Sequence, residues 1–302
     1  MAEVSGLLLL DKPAGLTSSD LVVRARKKFA IKRVGHAGTL DPMATGLMLL
    51  LVGKATRLQD FLLLEEKAYR GLIRLGVATD TDDLEGTVIQ EDPTCRFEDE
   101  QEQELIIEQL TRVFSGEQQQ VPPQYSAIHV GGKRSYEIAR KGEAVEHAAR
   151  KVVFHHTNFT FTSPDTLAYD ITCSKGTYIR SLARDIGREL GSCASLAEIR
   201  RTKSGAFDIA DALPLEEIDR EMLKARLIPM DKLARRFPVV EVDSSDSEKL
   251  RCGIQSPLER LEELGNEGFA ALFGPEGFLG LAERVGVSET ARWKVRFLMA
   301  GD

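Results

Sequence analysis

The sequence predicts a mixed α/β (α+β) protein that ends in a small β domain, and three patterns support this. Short apolar runs with strand period, at 69–75 and 166–173, are interspersed with segments whose apolar residues recur at helical spacing, such as Leu21, Val22, Ala25 and Phe29. Two strand-like runs, 151–161 and 166–173, are joined by Ser163-Pro164-Asp165, a turn that makes its neighbours antiparallel. After Phe237-Pro238 the texture changes to brief segments, 268–273, 277–281 and 293–298, separated by Gly, Pro and acids. They suit a β module of about 65 residues.

In chain order, the run 6–10 is stopped by Asp11-Lys12-Pro13-Ala14-Gly15 and reads as a buried strand entering a turn. Residues 17–20 offer N-cap side chains for the helix through Phe29. The run 47–52 is a second buried strand. In 69–75, Tyr69, Ile73 and Leu75 take one side and Arg70 and Arg74 the other. Asp80-Thr81-Asp82-Asp83 and Gly86 form a long turn from which Thr87-Val88-Ile89 can pair back. Leu105, Ile106, Leu110, Val113 and Phe114 share helical spacing. Val121-Pro122-Pro123-Gln124 opens a polar segment reaching Arg150, with Gly131-Gly132, Lys133, Arg134, Arg140 and Lys141 inside it. It reads as a loop and short helix projecting from the body. In 166–173, Leu167, Tyr169, Ile171 and Cys173 share a face. Ile179, Leu182, Ile186 and Leu190 form one helix face, with Arg180, Arg184 and Arg188 on another.

The 302 residues suffice for two domains, and 42% hydrophobic residues suffice for a packed core. The net charge of −7 gives no bulk signal for nucleic acid, but the charge is unevenly placed. Arg24, Arg26, Lys27, Lys28, Lys32 and Arg33 crowd one stretch, and Lys175, Arg180, Arg184, Arg188, Arg200, Arg201 and Lys203 mark a second. Such asymmetry lets an acidic protein show a basic face to a polyanion, although ion-paired helix surfaces give the same pattern. Four cysteines without C-x-x-C pairing point to a reducing compartment. No apolar run approaches the roughly 20 residues of a membrane helix, and Leu7-Leu8-Leu9-Leu10 lacks the basic flank of a signal peptide. A cytoplasmic location is expected.

Several chemistries find no support. The stretch from Gly46 to Gly53-Lys54-Ala55 has the wrong spacing for a P-loop and lacks its Ser or Thr. His155-His156 are adjacent, hence on opposite faces of a strand, and cannot share a metal. The histidines and cysteines form no zinc spacing, and neither a dinucleotide fingerprint nor a serine-hydrolase elbow occurs. What stands out is 33–46, where three glycines and Pro42 exclude a regular helix or central strand. Its sole acid, Asp41, precedes Pro42 and is thereby pushed towards extended geometry. A carboxylate so placed can be a nucleophile, a general base or a turn former.

The string Gly35-His36-Ala37-Gly38-Thr39-Leu40-Asp41-Pro42-Met43-Ala44-Thr45-Gly46 closely resembles the catalytic motif of the TruB branch of pseudouridine synthases. The resemblance runs in order from about 6 to 235. It includes Asp11-Lys12-Pro13-Ala14-Gly15, Lys67-Ala68-Tyr69, Thr79-Asp80-Thr81-Asp82, Gln118 to Ala127, Gly132-Lys133-Arg134-Ser135-Tyr136, Cys173 to Leu182 and Arg200-Arg201-Thr202-Lys203-Ser204-Gly205. It implies a synthase that isomerises uridine-55 in the T loop of tRNA. This reaction breaks the N-glycosidic bond, turns the base and rejoins it through carbon 5. Nothing is oxidised or hydrolysed, so it implies neither metal nor cofactor. Asp41 matches the family's nucleophile, attacking either the sugar C1′ or the base C6. Arg180 matches its partner, and a neighbouring cation favours an ionised carboxylate. The target base must leave its stack, which costs a few kcal/mol. His36 matches the residue that helps extrude it. Tyr69 matches the tyrosine stacked on it and is a candidate for removing the C5 proton. Tyr178 is expected at the target nucleotide, and Lys12 at the loop or a phosphate.

The family often carries a His-Leu pair and a leucine before Arg200-Arg201. Here the run is Ala194-Ser195-Leu196-Ala197-Glu198-Ile199, and Ile199 keeps an apolar contact in the leucine's place. Two alternatives stay open: a uridine in another RNA, as in guide-RNA-dependent relatives, and an RNA-binding or RNA-folding protein without essential turnover. The expected architecture is a pseudouridine synthase domain at 1–236, built on a largely antiparallel sheet, with an RNA-clamping thumb at 121–150. A PUA-like β domain follows at 237–302. The expected partner is tRNA, bound with salt-sensitive affinity by a monomer.

Overall fold

The computed structural model describes residues 4–299 except 127, 131, 136, 137, 139–144, 265–267 and 287–290. A nine-stranded sheet is built from β1 (Gly6–Lys12), β2 (Val34–Ala37), β3 (Thr45–Val52), β4 (Lys67–Leu75), β7 (Gly116–Gln120), β10 (Arg150–Ser163), β11 (Thr166–Cys173), β12 (Ala194–Ser204) and β13 (Phe207–Asp208). Its main path is β1-β3-β12-β4-β11-β10-β7. Pairing is antiparallel except where β12 meets the start of β3, Arg200 opposite Thr45 and Arg201 opposite Gly46. Two small pairs stand apart, β5 (Val77–Thr79) with β6 (Val88–Glu91) and β8 (His129–Val130) with β9 (Lys133–Arg134). Thr87-Val88-Ile89 thus turn back on Val77–Thr79 rather than on β4.

The leucine-rich runs become strands buried on both faces. Leu8, Leu10, Met48 and Leu50 pack into one core with Leu21, Val22, Ala25 and Phe29 of the helix Ser18–Phe29. Leu7, Leu9, Leu47, Leu49 and Leu51 face the other way and pack with Met230, Leu233, Ala271, Phe273 and Leu281. Unbroken apolar strands are what two covered faces require. The helix begins with a capping box, in which Thr17 and Asp20 each satisfy the other's main-chain N–H. The last part of the chain adds a four-stranded sheet, β14 (Val239–Glu241), β15 (Phe269–Gly274), β16 (Gly277–Val285) and β17 (Arg292–Leu298), in that order. Among the described residues no helix is long and apolar enough to cross a membrane.

Three local expectations need correction. Val34–Ala37, within the glycine-rich run, is a strand paired with the end of β3. Four residues without an internal glycine turn suffice for it, and the irregular part is confined to 38–44. His155 and His156 are both exposed, because a bulge after Phe154 slips the alternation by one residue. Leu105 is 67% exposed. The helix Glu100–Val113 buries Ile106 and Leu110, and Leu105, a neighbour in sequence, points off that face. Of the expected thumb at 121–150, Gly131, Tyr136, Arg140 and Lys141 lie outside the described residues.

Candidate active site

Two buried cations shape the segment that carries Asp41. Lys12 ends β1 with no exposed surface and donates to the carbonyls of Pro13 (2.9 Å), Pro42 (3.2 Å) and Ala44 (2.6 Å). An ammonium has three N–H donors. All are engaged with main chain, so Lys12 supports the loop and has none left for a phosphate. Burial pushes its pKa from 10.5 down to about 8, with Asp41 pulling the other way. Between these values the unfolded chain keeps a proton that the folded chain has lost, so unfolding free energy should rise with pH across that window. Denaturant unfolding at both ends of the window should show a smaller rise for Lys12→Met than for the parent. Identical slopes would contradict the assignment.

Arg201, 1% exposed, donates through Nε to Leu47 O (2.7 Å) and through Nη2 to Gly38 O (3.1 Å), bracketing the loop at both ends. Gly46, at φ +102°, lies so close to β12 that a Cβ would sit 2.3 Å from the Arg201 carbonyl oxygen. Only glycine lets the loop close onto the sheet there. Ser18 Oγ accepts from Leu40 N (2.8 Å) and donates to Leu40 O (3.0 Å), fixing the residue before Asp41.

Arg180 Nε donates to Asp41 Oδ2 at 2.9 Å. The arginine side chain is 7% exposed and the aspartate side chain 40%, so the carboxylate opens to solvent above a fixed cation. Nη1 donates to Thr81 O (3.0 Å), Nη2 to Tyr125 O (2.9 Å), and Asp83 Oδ2 lies 3.7 Å from Nε. One guanidinium therefore joins the Asp41 loop, the 80–83 turn and the start of 121–150. Asp83 is buried and also accepts from Thr81 Oγ1 (2.7 Å) and Glu85 N (3.1 Å). The sequence marks this segment as a long turn and, in Thr79-Asp80-Thr81-Asp82, as part of the family resemblance, without assigning Asp83 a role. The density of aspartates was a signal, but no spacing showed which cations they would meet.

The second basic stretch is largely neutralised within the protein, in keeping with the ion-paired reading of its charges. Arg184 meets Asp82 and Asp185 at 3.0 Å each, Arg200 meets Asp11 at 2.7 Å, and Lys203 meets Asp208 at 3.5 Å. In the first stretch, Arg26 and Lys28 donate to main-chain carbonyls. The exposed Lys32 and Arg33 line a groove of ≈ 680 Å³ that reaches His36.

Sheet register gathers the remaining residues. Tyr69 lies opposite Arg201, and Gly71 opposite Ile199, so Tyr69, Ile199 and Arg201 share one face. Burial raises the Tyr69 pKa, opposed by the Arg201 charge beside it. Tyr178 is half-buried with the Arg150 guanidinium 5.6 Å from its ring centre, and burial raises its pKa also. The Asp41 charge acts on Tyr69, Tyr178 and Lys12. His36 sits on β2 opposite Leu50. Its Nδ1 is buried without a hydrogen-bond partner among the described residues, and burial, then Arg201, hold its pKa below the usual range. The expected residues thus converge, with Lys12 beneath the loop rather than at its surface. Among the described residues no group of His, Cys, Asp or Glu is arranged to hold a metal.

Comparison with known proteins decides the family. Residues 26–179 match the model of the TruB family pseudouridylate synthase N-terminal domain, and 180–236 that of the tRNA pseudouridylate synthase B C-terminal domain. The chain belongs to the TruB family. It is an enzyme, an isomerase, similar to the tRNA pseudouridine synthase B of Thermobifida fusca (43% identity over 92% of this chain and 94% of the relative). It is also similar to that of Clostridium tetani (36% identity, covering 93% and 96%). A solved Cbf5-Nop10-Gar1 complex contains a chain of the same fold, with TM-score 0.66 and 23% identity over 97% of this chain and 84% of that one. The TruB-family fold thus places a mixed α/β sheet under the site.

Proposed function

We propose that this TruB-family enzyme converts uridine-55 in the T loop of tRNA to pseudouridine, with Asp41 as nucleophile and without metal or cofactor. The observation that carries this reading is the 2.9 Å contact between a solvent-open Asp41 and an almost fully buried Arg180. A nucleophile needs access on one side and fixed orientation on the other. Relatives named tRNA pseudouridine synthase B support the choice of substrate.

The target uridine leaves its stack and enters over Tyr69, whose ring offers the stacking surface, with Ile199 beside it and Tyr178 at its edge. Base–aromatic stacking of about 1–3 kcal/mol helps offset extrusion. His36, uncharged and at the end of the groove lined by Lys32 and Arg33, fills the vacated space. Asp41 adds to the nucleoside at C1′ or C6, the C1′–N1 bond breaks and the base rotates. The C1′–C5 bond then forms, Asp41 departs, C5 loses its proton and N1, freed from the sugar, takes one up. Atoms balance within the substrate, so the net change is an isomerisation. Tyr69 suits stacking better than proton removal, because burial favours its neutral phenol.

We read 1–236 as the catalytic domain, 121–150 as the thumb that clamps RNA and 237–302 as a PUA-like domain. We read the enzyme as a monomer, and tRNA modification suits the cytoplasm. The test is incubation of the purified protein with an unmodified tRNA transcript, followed by mapping of pseudouridine. Product at position 55 alone is expected. Product elsewhere, or none, would overturn the assignment.

A further inference from the structure

We propose that Gln120 is a positioning residue of this site: its side-chain amide fixes the main chain of Tyr178 and so the start of the helix that presents Arg180 to Asp41. The inference rests on the roles given above to Asp41, Arg180 and Tyr178.

Gln120 is the last residue of β7, the edge of the main sheet path, and is 3% exposed. Its Oε1 accepts the Tyr178 N–H at 2.8 Å and its Nε2 donates to the Tyr178 carbonyl at 3.0 Å. The amide pairs with Tyr178 as a neighbouring strand would. Just beyond Gln120 the chain enters Val121-Pro122-Pro123, whose prolines carry no N–H with which to extend a strand pairing. Tyr178 is the N-cap of the helix Ile179–Glu189, with extended φ −104° and ψ 115°, and its own side chain makes no capping bond. The Gln120 amide thus holds, from outside the helix, an N-cap residue that has no side-chain cap of its own.

The lacing continues along both segments. Val121 O accepts from Ser181 Oγ (2.9 Å) and Arg184 Nη2 (2.8 Å), and Tyr125 O from Arg180 Nη2 (2.9 Å). Gln124 repeats the device on the far side of the insertion, pairing through its amide with Val145 N (2.8 Å) and Val145 O (2.7 Å). The Gln120 pair differs because Arg180 stands two residues beyond its partner. Gln120 touches no reacting atom, so it acts through Tyr178 and Arg180. Misplacing a reacting group by about 1 Å can cost roughly 10²-fold in rate.

The test measures single-turnover pseudouridine formation at saturating tRNA transcript, RNA affinity and melting temperature for Gln120→Ala and Gln120→Glu. The alanine variant should slow the step by about 10- to 100-fold while Kd stays within about two-fold. The glutamate variant keeps the acceptor for Tyr178 N–H and loses the donor, so it should slow less, and it carries the test if the alanine variant does not fold. A lowered melting temperature with a parental rate in the folded fraction would overturn the proposal, since it marks a purely structural role. Losses in rate and affinity of equal size would also overturn it. The parent measured alongside separates the two levels. An active parent with unaffected variants refutes Gln120 alone, whereas an inactive parent refutes the functional reading and the inference with it.

Discussion

Asp41→Asn should abolish pseudouridine formation, with a loss of about 10⁴-fold or more in single-turnover rate, while tRNA affinity stays within a few-fold of the parent. Asparagine has nearly the same shape, so the loop, held by Lys12, Ser18 and Arg201 at its main chain, keeps its path. What is lost is the negative oxygen that the proposed mechanism requires. Arg180 retains Asp83 at 3.7 Å and its two carbonyl acceptors, which keeps the guanidinium in place. Measuring rate and binding on the same preparation decides the matter. A variant that still makes product, or one that loses RNA binding in step with rate, would remove Asp41 from the chemistry.

Arg180→Ala should be the next most severe change, for two separable reasons. Turnover should fall by about 10²-fold or more, because Asp41 loses its only side-chain ion partner among the described residues. Stability should also fall, by about 3–5 kcal/mol, because Asp83 is left as a buried carboxylate without its cation. Arg180→Lys restores charge but cannot reach Asp41, Thr81 O and Tyr125 O together, so it should recover stability more than rate. Urea unfolding and single-turnover rates at saturating RNA give the two numbers. Full activity in the lysine variant would show that charge alone suffices and that the three-way contact is incidental.

Much of this was legible in the sequence where information is contiguous or periodic. The Asp41 loop occupies one uninterrupted motif, and the 151–173 hairpin shows its turn and its alternation. The leucine runs of β1 and β3 announce burial on two faces. What covers their second face is not announced, because the matching residues, Met230, Ala271, Phe273 and Leu281, lie far along the chain in segments of other periods. Long-range polar pairs are equally silent. Arg184 with Asp82 spans 102 positions and Gln120 with Tyr178 spans 58, and no rule of spacing connects them. By spacing alone the arginines at 180, 184 and 188 form one polar helix face, and the family resemblance marks the first, which is buried at the site, as the partner of Asp41. Lys12 is expected at the loop or a phosphate and Arg201 within a basic stretch, and nothing in a sequence shows that either cation will spend its donors on carbonyls.

The double-sided burial of β1 and β3 has a consequence for how the molecule can be cut. Leu47, Leu49 and Leu51 belong to the strand that runs directly out of the Asp41 loop, and their covering includes Ala271, Phe273 and Leu281 of the last sheet. Trimming the chain at Phe237 would not release a tidy enzyme minus an accessory. It would leave a greasy slab open to water one strand from Asp41, and sister molecules would stick together there. Whatever else the tail contributes, it serves as the waterproof backing on which the chemistry is mounted.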